Sequence, residues 1–458
     1  MTSPPRAVPL TLGDHYVLSL ARAAAADSRM HMAVAAHLPG GPPAPPDLHE
    51  RIAATAGRAP VLRYRLTGAG RHAAWAPDPG FDPARHVTHH HLRPGQDVAQ
   101  AALDLIADRP LPRDRPLWDL LVLHGHTPGE HVLVHRVHHA FQDALGLLSG
   151  IRALTGDERL PHPAPEPPAR DAPAIRGTLA DLARLAAPLP RWHPSKPPGG
   201  QGPRLLAVPL DAGALRAVVQ RTGATVTQVM LALLAGALRS WRPQVWRSRP
   251  GITVNLPVSV RGPRNHAALG NHVGVFPVTL PCGEPAPYAR LRAIADQTTL
   301  ALISRQRRRI RALYRLPAAV SRTAFGAAMP LVARGAPCRL DVGTIRITGE
   351  FPAARELFLC PPLAPGVSAM ITLLYGRGAA SVCGVFDASV DGPPTRCSPW
   401  SPTPWPNCTP TSGKATGDRG QALVRASRLG RWPVTSWPAS GRRSSISRAP
   451  ASAIAPLT

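Results

Sequence analysis

Residues 132–144 read Val-Leu-Val-His-Arg-Val-His-His-Ala-Phe-Gln-Asp-Ala, and the rest of the chain is best read outward from them. Val132 to Val137 is an apolar run of the length expected for a strand. It ends in the doublet His138 and His139, and a carboxylate, Asp143, follows four residues beyond the second ring. A neutral alcohol needs a base before it can attack a carbonyl, and histidine titrates in the useful range. A ring at a strand end can project into a channel. Asp143, across the following turn, is placed to lock the local backbone rather than to take the proton. Spacing alone says little, because any histidine-rich chain offers such pairs.

Other segments change that balance. Upstream lie Trp75-Ala-Pro-Asp-Pro-Gly-Phe-Asp-Pro-Ala-Arg-His-Val87 and Arg109-Pro-Leu-Pro-Arg-Asp-Arg-Pro-Leu-Trp-Asp119. Downstream lie Gly223-Ala-Thr-Val-Thr-Gln-Val-Met-Leu-Ala232, Val254-Asn-Leu-Pro-Val-Ser-Val-Arg261 and Leu269-Gly-Asn-His-Val-Gly-Val-Phe-Pro-Val-Thr-Leu-Pro281. With these in order, the chain resembles the bacterial wax ester synthase/diacylglycerol acyltransferase family of the coenzyme A-dependent acyltransferase and condensation-domain superfamily. The resemblance runs from about Leu10 through Asp387.

That resemblance implies an α/β (α+β) fold with two lobes, of the chloramphenicol-acetyltransferase-like or condensation type, and a central substrate channel. It implies catalytic roles for His139, His138 and Asp143, with His139 as general base and no acyl-enzyme. Arg261 is implied as the partner of Asp143. Asn271 either shapes the channel through its amide or turns the chain after Gly270, and Pro116, Leu117 and Trp118 support packing. The implied partners are acyl-coenzyme A, as co-substrate, and diacylglycerol or a long-chain alcohol, with no other cofactor and no metal. A carrier-protein donor, as in polyketide-associated condensation enzymes, is the alternative. A weakened relic is another, because Ala144 stands where the family has Gly, and Thr227-Gln228 where it has Asn-Asp. A backbone conformation tolerated mainly by glycine would make the Ala144 Cβ a source of strain.

The net charge of +26 would ordinarily point to nucleic acid or an anionic membrane. Here only Lys196 and Lys414 are lysines, and the Arg, Ala, Pro and Gly bias is what GC-rich codons produce. No nucleic-acid motif accompanies it, so that partner is set aside. Six cysteines without paired spacing do not suggest a disulfide framework and fit a reducing compartment. The start lacks the apolar core of a secretory signal, and the longest apolar run, Val226 to Leu238, is too short to span a bilayer. The expected location is cytoplasmic, peripheral at a membrane or lipid-droplet surface. The arginine-rich stretch from Ser304 to Arg315 reads as a solvated helix face, and the histidines between His86 and His91 read as loop residues rather than metal ligands.

The expected organisation is an N-terminal lobe over 1–156 and a proline-rich crossover over 157–204, with a short helix near 175–187. A C-terminal lobe over 205–392 and a tail over 393–458 follow. Helices are expected over Asp47 to Ala56, Asp211 to Thr222 and Thr225 to Trp241, and strands over Leu205 to Leu210, Gly251 to Val260 and Val273 to Leu280. The tail keeps no helical or strand period, which reads as a disordered segment, yet it carries tryptophans unlike a solvating one. Back-translated with G or C at wobble positions, Thr395 to Gly417 gives Leu-Leu-Ala-Leu-Val-Ala-Asp-Ala-Leu-Ala-Glu-Leu-His in another frame, an amphipathic helix. A frameshift is the reading this supports, and resequencing the DNA tests it.

Overall fold

The computed structural model describes residues 7–25, 27–156, 158–164, 202–261, 269–314, 339–347, 354–376 and 379–390, with Thr323 and Pro330. The 175–187 helix and the 393–458 tail, with its frameshift reading, lie outside these residues, as does most of the crossover.

The His138-His139 strand, Glu130–His138, is the seventh of fourteen among the described residues and is labelled β7. Before it come β1 (Val8–Pro9), β2 (His31–Pro39), β3 (Tyr64–Thr67), β4 (Ala74–Pro77), β5 (Val87–His91) and β6 (Trp118–His124). After it come β8 (Arg204–Leu210), β9 (Ile252–Ser259), β10 (Val273–Leu280), β11 (Arg339–Arg346), β12 (Glu356–Cys360), β13 (Val367–Tyr375) and β14 (Ala380–Phe386). A five-stranded sheet in the order β12-β2-β7-β6-β5 forms the first lobe, and a six-stranded sheet in the order β10-β9-β11-β13-β14-β8 forms the second. A small sheet, β1-β4-β3, flanks the first.

β7 is buried along almost its whole length because both faces are covered. Its His135 abuts Gly150 of α4 (Ala144–Thr155), whereas its neighbour Arg136, on the opposite face, donates to the Arg109 carbonyl just past α3 (Val98–Asp108). Arg136 also forms a buried, two-pronged pair with Asp119, directly across on β6.

The chain does not divide cleanly at residue 205. β12, far into the second half, leaves that lobe and pairs antiparallel with β2 from Glu356↔His37 to Cys360↔Ala33. The short apolar composition of Leu357 to Cys360 fits either sheet, so pattern alone could not assign it. The histidines at 86–91 also differ from expectation. His86 ends a 3₁₀ turn, buried and stacked on Trp118 at 4.3 Å, and His89, His90 and His91 lie on β5, the sheet edge.

The other helices longer than one turn among the described residues are α1 (Leu12–Ala23), α2 (Pro45–Arg58), α5 (Ala212–Thr222), α6 (Val226–Trp241), α7 (Pro287–Gln297) and α8 (Leu300–Leu313). α6 begins in a reciprocal cap between Thr225 and Gln228. Among the described residues no single helix is long and apolar enough to cross a membrane.

Candidate active site

His139 stands where β7 has just ended, its main-chain N–H donating to the Met30 carbonyl at 2.8 Å. The side chain is partly exposed, and what it is exposed to is a cavity of about 1270 Å³ between the two lobes. Met32 and Leu359 line it from the first sheet, Leu256 and Thr344 from the second, and Thr227 and Ile303 from helices of the second lobe. That volume exceeds the roughly 300–1,000 Å³ of an ordinary small-molecule site. Burial lowers the His139 pKa, against opposing effects from its own main chain and the Asp143 charge, so the ring is held neutral. Its Nδ1 is sealed from solvent, which leaves Nε2 as the nitrogen available to the cavity.

His138 points the other way and is fully buried. Its Nδ1 accepts from the Ala140 N–H at 3.1 Å, which leaves Nε2 facing Asp27 at 3.3 Å. Burial works to raise the Asp27 pKa, but His138 and Arg113 outweigh it and hold the carboxyl well below the usual carboxylate range. The main-chain N–H of His138 donates to the Leu117 carbonyl at 3.0 Å, and the Trp118 indole N–H to the Leu62 carbonyl at 2.8 Å, so the Pro-Leu-Trp segment props the motif from below.

Asp143 is the N-cap of α4, one oxygen accepting from Gly146 N–H at 3.0 Å. The other oxygen receives Arg261 Nε at 3.0 Å and the His272 N–H at 3.1 Å, both from the second lobe. Burial would raise this carboxyl, yet Arg261 pulls it below its ordinary value. Arg261 also donates to the Gly270 carbonyl at 2.9 Å, and the Gly270 N–H to the Phe141 carbonyl at 2.7 Å. The motif loop and the 269–272 segment are therefore bolted together. Gly270 holds φ +77°, a left-handed conformation that favours glycine.

Asn271 does not reach the cavity. Its side-chain oxygen accepts from Val273 N–H at 3.1 Å, while its main-chain N–H donates to Asp14 at 2.6 Å and its carbonyl accepts from Thr11 and Tyr314. The turn reading, not the channel reading, describes it. Asp14 is wholly buried, and its pKa is pushed up to about 6 by that burial, against the donors of Asn271, Trp75 and Thr11. A Cβ on Gly13 would come within 2.3 Å of the Asn271 carbonyl, so this contact between lobes requires glycine.

Ala144 carries no strain. It opens α4 in ordinary right-handed geometry, and Ala25 is the only non-glycine with positive φ among the described residues. Its side chain lines the cavity beside His139. Replacing Ala144 by Gly is expected to give no gain in stability and a loss of at most about 1 kcal/mol, read as a shift in the urea midpoint. A clear gain would mean that the methyl group is strained after all. Thr227 and Gln228 likewise serve the start of α6, Thr227 meeting Thr344 at 2.8 Å and Gln228 meeting Thr298 at 3.0 Å, both at the cavity wall.

Sequence reasoning missed Asp14, Asp27, His272 and Arg311. Thr11-Leu-Gly-Asp14 is a legible capping box, though nothing in it announces the reach to Asn271. Arg311, read as part of a solvated face, donates to the carbonyls of Val260 and Arg261 and steadies the strand end that delivers Arg261.

Comparison with known proteins bears on this arrangement. One Mycobacterium tuberculosis protein, provisionally named a diacylglycerol O-acyltransferase, is 29% identical over 275 residues, 51% of this chain and 58% of that one. A second from that organism, provisionally named diacylglycerol O-acyltransferase tgs2, is 27% identical over 295 residues, 56% and 64% of the respective chains. These matches span less than two thirds of either relative. Among solved structures, the starter condensation domain of rhizomide synthetase, in complex with C8-CoA, superposes with a TM-score of 0.55 at 13% identity, over 83% of this chain and 89% of that one. The condensation domain of the monacolin K polyketide synthase does so at 0.54 and 14%, over 84% and 93%. The fold is thus the two-lobed condensation type. The family description "Wax ester synthase/diacylglycerol acyltransferase catalytic domain" matches residues 17–299, which include both the His138-His139 loop and the Arg261 that clamps it. With more than half of its length inside that match, the chain belongs to the wax ester synthase/diacylglycerol acyltransferase family.

Proposed function

We propose that this chain transfers a long-chain acyl group from acyl-coenzyme A to the hydroxyl of a diacylglycerol or a fatty alcohol. The observation that carries the reading is the His139 imidazole, opening onto a cavity large enough for two substrates. In the proposed step, His139 Nε2 takes the hydroxyl proton as the oxygen bonds to the thioester carbonyl carbon. The tetrahedral intermediate collapses by breaking the C–S bond, and the imidazolium returns the proton to the departing thiolate. Asp143 has both oxygens engaged by Gly146, Arg261 and His272, so it is a positioning residue.

The acyl donor is assigned to the second-lobe mouth, where Arg221 and Arg292 are exposed along the cavity. Guanidinium groups there suit the phosphates of coenzyme A. Tyr288 and Leu300, at 51% and 58% exposure, rim the same cavity, and we place this mouth against a lipid surface from which an apolar acceptor enters.

The test supplies purified protein with long-chain acyl-coenzyme A, or the same acyl group on a carrier protein, together with diacylglycerol and a long-chain alcohol. Triacylglycerol or wax ester from the coenzyme A donor is expected. Product from the carrier-protein donor alone would overturn the assignment. Changing Arg221 and Arg292 together to Ala is expected to raise KM for acyl-coenzyme A about tenfold, equivalent to about 1.4 kcal/mol, with kcat retained. An acyl-pantetheine donor, lacking those phosphates, should not distinguish the variant from the parent.

A further inference from the structure

We infer that His37, His126 and Glu130 form a binding site for a divalent transition-metal ion of the zinc type, at the opposite end of β7 from the motif. Each presents one ligand atom, and these atoms lie within 4.8 Å of one another. The register brings them together. Pro39 faces Glu130 and His37 faces Val132, so His37 and Glu130 are diagonal neighbours on one sheet face, and His126 reaches them from the β6–β7 turn.

The contacts among the three do not close as hydrogen bonds. His37 Nε2 lies 2.8 Å from Glu130 Oε2 and 3.5 Å from His126 Nε2. A ring nitrogen carries at most one in-plane hydrogen. If His37 gives it to Glu130, none lies between the two rings. If His126 donates instead, His37 meets the carboxylate lone pair to lone pair. A cation shared by the three atoms removes the conflict, since all three then act as electron-pair donors. His126 is only 6% exposed, and its Nδ1 has no hydrogen-bond partner among the described residues.

The dimensions also suit the ion. Tetrahedral zinc, with Zn–N of 2.0–2.1 Å, keeps its ligand atoms about 3.3 Å apart, so the ring pair is nearly in place and Glu130 must withdraw by about half an ångström. Arg355 engages the second Glu130 oxygen, the kind of outer contact that orients a ligating carboxylate. A water would complete the tetrahedral shell. None of these residues lines the catalytic cavity, and a nine-residue strand puts them about 27 Å from His138. The ion is therefore structural. It staples β2 to the β6–β7 turn and the start of β7.

The test uses full-length protein stripped with chelator and titrated with Co²⁺, followed by Zn²⁺ in competition. One cobalt ion per chain with visible bands of a low-symmetry N/O site, displaced by zinc, is expected, together with a zinc-dependent rise in Tm. His126→Gln and Glu130→Gln should each weaken that equivalent at least tenfold while keeping the metal-free Tm, whereas His162→Gln, at an exposed position, should bind as the parent does. Absence of the cobalt bands, or variants that bind as tightly as the parent, would overturn the site. If His126→Gln fails to fold, Glu130→Gln alone decides.

Discussion

Replacing His139 by alanine is expected to lower ester formation by at least about 100-fold, the usual minimum for removing a general base. The fold should survive, because the main-chain N–H of residue 139 still reaches Met30 and the lost side chain faced the cavity rather than the core. Activity and unfolding midpoint must be measured on the same preparation. A variant within about tenfold of the parent would dismiss His139 as the base. The pH profile offers a second check. The base must be neutral to work, and burial lowers its pKa, so activity should persist below the ordinary histidine range and fall only as pH drops through the lowered value. An acid limb at or above the ordinary histidine pKa of about 6.5 would contradict the lowered pKa of this ring.

Arg261→Ala is expected to cost about 3–5 kcal/mol of stability and most of the activity, because it strands the Asp143 charge in a site where that side chain is 1% exposed. The loss includes the bond to the Gly270 carbonyl, so the bolt between motif loop and second lobe loosens as well. Arg261→Lys should recover most of the stability by restoring the charge but little of the fork geometry, and hence only part of the rate. Urea midpoints at constant m, alongside initial rates, separate the two effects. An alanine variant as stable as the parent would show that Asp143 has another counter-charge.

The sequence made the strand and its doublet legible because Val132, Leu133, Val134 and Val137 make the run mostly apolar and the two histidines close it. α5 and α6 were likewise readable, since Asp211 and Thr225 announce their starts as capping residues. What stayed hidden depends on distant partners. The reach of Asp14 to Asn271 spans 257 residues, and no local pattern encodes it. Ala144 misled for a related reason. A substitution away from a family glycine looks like strain until the backbone is seen to be helical there. Asn271 presented two readings of equal weight from composition, and only its contacts with Val273 and Asp14 separate them.

The path of β12 has a consequence for anyone dividing this protein. A fragment ending before residue 354 would leave β2 as a bare sheet margin, its Ala33 to His37 main chain open to pairing with another molecule. Such a half should clump, and chimaeras with a paralogue should tolerate a swapped second half only when the segment around 354–360 travels with the first.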